Sequence, residues 1–310
     1  MSQKPKTYRS NGKLLVTAEY VVLDGAKALA LPTKYGQSLT IEPHATKTII
    51  WKSYNELDTI WFEDEFEINH STKKLKLKAK HYTEVSKRLI QILQAAYSLN
   101  PEFLNAEQGY IITTHQDFNR LWGLGTSSTL INNIANWAKV DPYKLLEKTF
   151  SGSGYDIACA QNDSPLTYQL PFARKTIIES ITFNPSYKAQ LYFVYLNQKQ
   201  NSRDAIAAYK KKGRIDTAII ASINTLTESM IACKTLLEFE KLIVSHEAII
   251  SNLIEQKPIK SRLFKDFKGA VKSLGAWGGD FVLVTSKTNP RDYFVSKGFD
   301  VVIPYHDMVL

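Results

Sequence analysis

Three glycine-containing segments of this 310-residue chain carry residue types suited to phosphate and proton chemistry. The first is Gly123-Leu124-Gly125-Thr126-Ser127-Ser128-Thr129, which leads into an apolar stretch. Two glycines let a backbone turn tightly and approach a ligand closely. The hydroxyls that follow sit where a helix would present unpaired N–H groups and positive partial charge, a combination that binds phosphate. Ser and Thr oxygens also suit Mg²⁺, a hard cation. A loop ending in a Ser or Thr helix cap reads the same way. The P-loop string G-x-x-x-x-G-K-[ST] occurs nowhere in the chain.

The second segment, Ser151-Gly152-Ser153-Gly154-Tyr155-Asp156-Ile157-Ala158, places a short acid after a Gly-Ser turn at the start of an apolar helix. Asp156 reads either as an acid stabilising that helix start or as a base that orients a substrate hydroxyl. The third, Lys272-Ser273-Leu274-Gly275-Ala276-Trp277-Gly278-Gly279-Asp280, precedes the strand-like FVLVT. Glycines crowded there mean a tight turn or backbone packed on backbone. Other chemistries lack their patterns. The six histidines are scattered, and His246-Glu247 has no second His at metal-binding spacing. No G-x-S-x-G nucleophile elbow is present.

Elements must position these segments. Leu14–Leu23, Gln37–Glu42, Thr48–Trp51 and Thr59–Ile68 are rich in β-branched and aromatic residues and predict strands. Residues 82–98 carry apolar side chains at helical spacing. A short strand, Gly109–Thr114, and the loop Gln116–Gly125 precede a helix over about 127–139. Asp141-Pro142 starts another helix, since Asp caps well and Pro suits the first turn. Strands are predicted near 166–171 and 189–196, helices over 203–268, and strands again at Phe281–Thr285 and Val301–Ile303. Strands, then helices, then strands predict an α+β fold. We divide it into domains of 1–175 and 176–310.

Composition bounds the function classes. With 44% hydrophobic and 22% charged residues, the chain is globular rather than disordered. Cys159 and Cys233 lie in apolar stretches and read as buried thiols, with no disulfide framework. The opening MSQKPKTYRSNGK lacks the apolar core of a secretory signal. No window is apolar enough for a membrane span. The expectation is a cytoplasmic protein. Net charge is +9, which allows nucleic acid, a membrane surface or an anionic small molecule as partner. The run Lys73–Lys80 alternates Lys with apolar residues, as an edge strand with one solvated lysine face would. Lys210-Lys211-Lys212-Gly213 reads as a helix end.

The order of the segments adds to this. Asn11-Gly12-Lys13-Leu14-Leu15-Val16-Thr17-Ala18-Glu19-Tyr20 resembles the first motif of the GHMP kinase superfamily (galactokinase, homoserine, mevalonate and phosphomevalonate kinases). Gly123–Ser128 resembles its second motif, G-L-G-S-S-A, and Lys272–Asp280 its third. Together with the Gly-Ser-Gly-x-Asp string, the resemblance spans residues 11 to 280. It implies a two-domain α+β GHMP kinase fold with ATP and Mg²⁺ in a cleft between the domains. It implies an ATP-dependent kinase that phosphorylates a small acceptor. By motif position, Lys13 neutralises phosphoryl charge and Asp156 accepts or orients the acceptor proton. Gly123, Leu124, Gly125, Thr126, Ser127 and Ser128 hold the nucleotide phosphates. Glu19, Ser153, Gly154, Gly275, Gly278 and Gly279 line the substrate. Ser127 and Glu147 are the candidate Mg²⁺ ligands.

Two details resemble phosphomevalonate kinase: the string Gly-Ser-Gly-Tyr-Asp-Ile-Ala and the ending Gly278-Gly279-Asp280. Asn197–Ser202 is a further candidate substrate stretch. Departures are Asn11 for Pro, Ala18 for Gly, Thr126 for Ser and Trp277 for Gly, the last of which allows a stacking or wall-forming role. The implied substrate is phosphomevalonate or mevalonate, with a small-molecule partner, no nucleic acid, no membrane, and a monomer or homodimer as assembly. Rival readings are a kinase for a sugar or other small alcohol, and a non-catalytic paralogue that keeps the fold. A nucleic-acid binder, suggested by charge alone, predicts steep salt dependence.

Overall fold

A computed structural model describes residues 4–71, 74–104, 108–150, 152–172, 175–198, 202–213 and 215–310. Lys73, Ser151 and residues 199–201, all part of segments singled out above, lie outside the described residues. By packing, the chain groups into two units. The first takes the described residues of 1–12, 35–120 and 125–161, and the second takes those of 13–34, 121–124 and 162–310. This grouping differs from a single division near 175, because two long strands each contribute residues to both units.

In the first unit lie parts of β1 (Lys6–Leu15) and β2 (Ala28–His44), then β3 (Thr48–Tyr54), β4 (Ile60–Ser71), β5 (Lys74–Ala79), α1 (Glu84–Leu99), β6 (Gly109–Gln116), α2 (Thr126–Ala138), α3 (Pro142–Thr149) and α4 (Tyr155–Gln161). The strand order is β5-β4-β3-β6-β2, with β1 also paired to β2. On edge strand β5 the lysines are exposed and Leu75, Leu77 and Ala79 are buried, the alternation its sequence predicts. The apolar face of the sheet packs against α1, α2 and α3 through residues such as Trp51, Phe66, Leu93, Ile112 and Ile134. Thr83 caps α1, and Asp141, followed by Pro142, caps α3.

Helix α2 carries two adjacent asparagines, poor helix formers, and both are buried. Their side chains anchor the helix. Asn132 Nδ2 donates to Ser10 Oγ (2.9 Å), Ser10 Oγ donates to Asn133 Oδ1 (2.7 Å), and Asn133 Nδ2 donates to the Gln37 carbonyl (2.9 Å). Buried polar groups that are paired in this way fix one orientation, because leaving any of them unpaired is costly.

The second unit begins with the end of β1, a 3-10 turn at Val21–Asp24 and the start of β2. It continues with β7 (Leu166–Gln169), β8 (Ile177–Ser180), β9 (Leu191–Tyr195), α5 (Ser202–Lys210), α6 (Thr217–Ala232), α7 (Leu236–Ile254), α8 (Ile259–Leu263), β10 (Val271–Ser273), β11 (Phe281–Thr285), α9 (Arg291–Ser296), β12 (Val302–Pro304) and α10 (Tyr305–Met308). Ala28–Ala30 of β2 pair with β7, and β7 pairs with β8. A second sheet has the order β10-β11-β9-β12. Its central strands, LYFVY and FVLVT, are buried at every position, which explains their unbroken apolar sequence. Phe264, Phe267 and Phe294 pack beneath them. Helix α7 packs on α6 and on β10. Of the expected strand Leu14–Leu23 only Leu14 and Leu15 are strand, as the end of β1; Val21–Asp24 is the 3-10 turn, and Ala18 and Tyr20 adopt positive φ.

Candidate functional site

In the first unit, the first glycine segment becomes the entry to α2. Gly125 precedes the helix at φ 97°, and no side chain caps it. Only glycine takes that backbone conformation without steric cost. The Ser128 hydroxyl turns back to the Gly125 carbonyl (2.8 Å), and Thr129 Oγ1 donates to Gln37 Oε1 (2.8 Å). The leading N–H groups of α2 therefore remain for an outside acceptor, and an anion meets the helix dipole there. Thr126 and Ser127 open the helix, Thr126 partly buried and Ser127 exposed. Gln116, at the end of β6, is buried and donates from Nε2 to Thr126 Oγ1 (3.0 Å), while its Oε1 has no partner.

Helix α4, which carries Asp156, packs directly on α2. Gly154 precedes it at φ 91°, and its carbonyl accepts from Ile157 N (3.0 Å) and Ala158 N (3.1 Å). Asp156 Oδ1 is buried and has no hydrogen-bond partner. A buried carboxylate oxygen without a partner is uncommon in a folded protein. Ser153 stands in the turn before it, partly buried. Glu147 is exposed on α3. Among the described residues no group of three or more His, Cys, Asp or Glu is placed to hold a metal.

In the second unit, the first motif, the opening of the glycine loop and the third glycine segment meet. Lys13 grips the loop twice: its backbone N–H donates to the Leu124 carbonyl (2.9 Å) and its Nζ to the Gly123 carbonyl (3.0 Å). Gly123, at φ 68°, lies under the Asp280 carboxylate. A Cβ at Gly123 would stand 2.6 Å from Asp280 Oδ1 and closer still to its Cγ and Oδ2. The third segment turns through positive φ at Gly275, Trp277, Gly278 and Asp280. Tyr20 Oη donates to the Ala276 carbonyl (2.6 Å). Burial raises the Tyr195 phenol, and the Asp280 carboxylate raises it further.

Two residues have roles in the structure that their sequence context did not suggest. Glu19, grouped above with substrate contacts, is fully buried, and its Oε1 is taken by Lys272 Nζ. Burial raises its carboxyl to about 7 despite the neighbouring lysine. Trp277, expected as a wall or stacking surface, turns inward to 1% exposure, with its ring 5.9 Å from Lys272 Nζ. It adopts the left-handed conformation in which the resembled motif has glycine. Lys272 and Asp280 bound the third segment in the sequence but, like Gln116, were given no individual role there. A lysine inside the apolar run AVKSL was the available signal for Lys272, since such a lysine must find buried partners.

No protein-family model and no curated protein matches the sequence. Solved structures do match in fold. Phosphomevalonate kinase from Streptococcus pneumoniae, in complex with phosphomevalonate and AMPPNP, superposes with TM-score 0.68 at 15% identity, covering 96% of this chain and 98% of that one. L. major mevalonate kinase with R-mevalonate gives TM-score 0.68 at 11% identity, over 96% and 94%. Lactococcus lactis galactokinase with galactose gives 0.65 at 11%, over 96% and 89%. No helix among the described residues is long and apolar enough to cross a membrane. Over nearly its whole length the chain therefore has the fold of the GHMP kinase superfamily.

Proposed function

We propose that this chain is an ATP-dependent small-molecule kinase that transfers the γ-phosphoryl group of ATP to phosphomevalonate or mevalonate. The observation that carries this reading is the uncapped, glycine-framed start of α2, with Lys13 fixed on the loop that feeds it. Phosphoryl transfer asks a protein for positioning and charge neutralisation more than for covalent chemistry. The α2 amides and the Thr126, Ser127 and Ser128 segment receive the phosphates. Lys13 neutralises charge on the transferring group. Asp156, with a buried oxygen lacking any partner, orients the acceptor or takes its proton. The acceptor oxygen attacks the γ-phosphorus, the bond to the β–γ bridging oxygen breaks, and ADP leaves. Mg²⁺, when bound, lowers the charge of the triphosphate; Ser127 and Glu147 are the side chains proposed to reach it.

The choice of acceptor rests on the Gly152–Ala158 string and the Gly278-Gly279-Asp280 ending, together with the phosphomevalonate named in the S. pneumoniae complex. A sugar acceptor is the second reading, favoured by the similar match to a galactokinase. The test is ADP release from Mg-ATP with phosphomevalonate, mevalonate and a sugar panel offered separately. Turnover with one acceptor identifies it. ATP binding without turnover on any of them favours an untested acceptor or the non-catalytic paralogue, and absence of ATP binding removes the phosphate-loop assignment.

A further inference from the structure

Four ionisable side chains of the second unit lie together out of reach of water. Lys272 on β10, His246 on α7 and Glu19 at the turn after β1 are 0% exposed, and Glu247 on α7 is 4% exposed. The lysine ammonium has three acceptors: Glu19 Oε1, Glu247 Oε1 (3.2 Å) and the Ser273 carbonyl (2.6 Å). Glu247 is held in addition by Ser273 N (3.1 Å) and Ser273 Oγ (2.9 Å). His246 Nε2 accepts from Ala18 N (3.0 Å), which puts the ring proton on Nδ1, and stands 3.5 Å from Glu19 Oε2. Glu19 Oε2 itself has no hydrogen-bond partner. The ring of Trp277 closes the lysine side, and the Tyr20 phenol is the remaining titratable neighbour of Glu19.

Charge counting makes this cluster unusual. Two carboxylates face one ammonium, and the histidine, its pKa pushed well down by burial and by Lys272, adds no positive charge. A net negative charge buried this completely is expensive unless a proton cancels it. The cluster also joins three elements that lie far apart in sequence: the turn at Ala18–Tyr20, the start of the third glycine turn, and α7.

We propose that Lys272 is a positioning residue that locks the Ala18–Tyr20 turn onto the third glycine turn, and that Glu19 and Glu247 hold one proton between them. The proposal concerns the fold itself and stands independently of the acceptor or the kinase reading. The proton sits on Glu19, on the oxygen that lacks a partner. Glu19 is raised from 4.5 to about 7, chiefly by burial. The folded state therefore keeps a proton that the unfolded chain releases above pH 4.5, and stability falls as pH rises from there to about 7. His246 opposes this below its ordinary range, because the unfolded chain protonates it and the folded one does not. Comparison with Glu19→Gln cancels the His246 contribution, since His246 owes its shift to burial and Lys272.

The experiment is urea unfolding of the full chain from pH 5 to 9 for wild type, Glu19→Gln and Glu19→Ala. The ratio of unfolding constants, wild type over Glu19→Gln, is expected to climb about tenfold per pH unit between roughly 5 and 7, on the order of a hundredfold in all, and then level off. At about pH 5, where the climb is only beginning, Glu19→Gln should lie close to wild type while Glu19→Ala unfolds more readily, because the amide keeps the contact to Lys272. A ratio that stays flat across the range overturns the shared proton. Equal stability of the alanine and glutamine variants overturns the positioning role. If Glu19→Gln fails to fold, infrared spectra of wild type with ¹³C-labelled glutamate decide. A buried protonated carboxyl band present at pH 6 and lost by pH 8 supports the proposal, and its absence throughout overturns it.

Discussion

Replacing Gly123 by alanine tests how the loop is held. The residue sits at φ 68°, and an added Cβ meets the Asp280 carboxylate well inside contact distance. The left-handed backbone alone costs a non-glycine residue about 1–2 kcal/mol. Pushing the carboxylate aside adds roughly another 1–3 kcal/mol, the usual range for overpacking. Gly123→Ala should thus lose about 2–5 kcal/mol in urea unfolding and weaken binding of a fluorescent ATP analogue. The two parts can be separated. Asp280→Gly removes the carboxylate and leaves a residue at ease with the φ of 54° found there. In that background Gly123→Ala should cost only the backbone part, about 1–2 kcal/mol, and a double-mutant cycle should report the rest as coupling. The reasoning fails if the alanine costs the same with and without the Asp280 side chain. It fails also if the alanine leaves both stability and nucleotide binding unchanged.

Other changes have comparably direct outcomes. Asp156→Asn should lower kcat by roughly 10²- to 10⁴-fold while leaving ATP KM nearly unchanged, as steady-state kinetics with the identified acceptor would measure. Trp277→Gly relieves an unfavourable φ of 51° but empties a fully buried indole site. The cavity dominates, so a net loss of about 2–4 kcal/mol is expected in thermal or urea unfolding. Thr129→Val removes the hydroxyl that Gln37 Oε1 accepts from and leaves that oxygen buried. About 1–3 kcal/mol of stability should go with it, and nucleotide affinity should fall as α2 loosens on β2.

What was legible in the sequence, and what was not, divides along physical lines. Alternation at Lys74–Ala79 and the Asp141-Pro142 start of α3 are local signals, and the structure has both. The glycine loop and the turn before Asp156 were legible because backbone conformation confines those positions to few residue types. The stretch after Leu15 was not. Its β-branched and aromatic residues favour a strand, yet the chain breaks into a turn with positive φ at Ala18 and Tyr20. Three long-range bonds account for the break. Ala18 N is drawn to His246, the Glu19 carboxylate to Lys272, and the Tyr20 hydroxyl to Ala276, all more than 200 positions away in sequence. Local propensity amounts to about 1 kcal/mol or less per residue, less than the cost of leaving buried charged and polar groups unpaired. The same reasoning explains why Glu19 looked like a substrate contact. A glutamate in a glycine-lysine motif suggests a ligand only until its lysine is found, and that lysine lies in a strand whose apolar sequence gives no hint of the first motif. Residues that hold the site from behind are therefore harder to read than those that face it: their types are set by partners, and those partners are known only once the chain has folded.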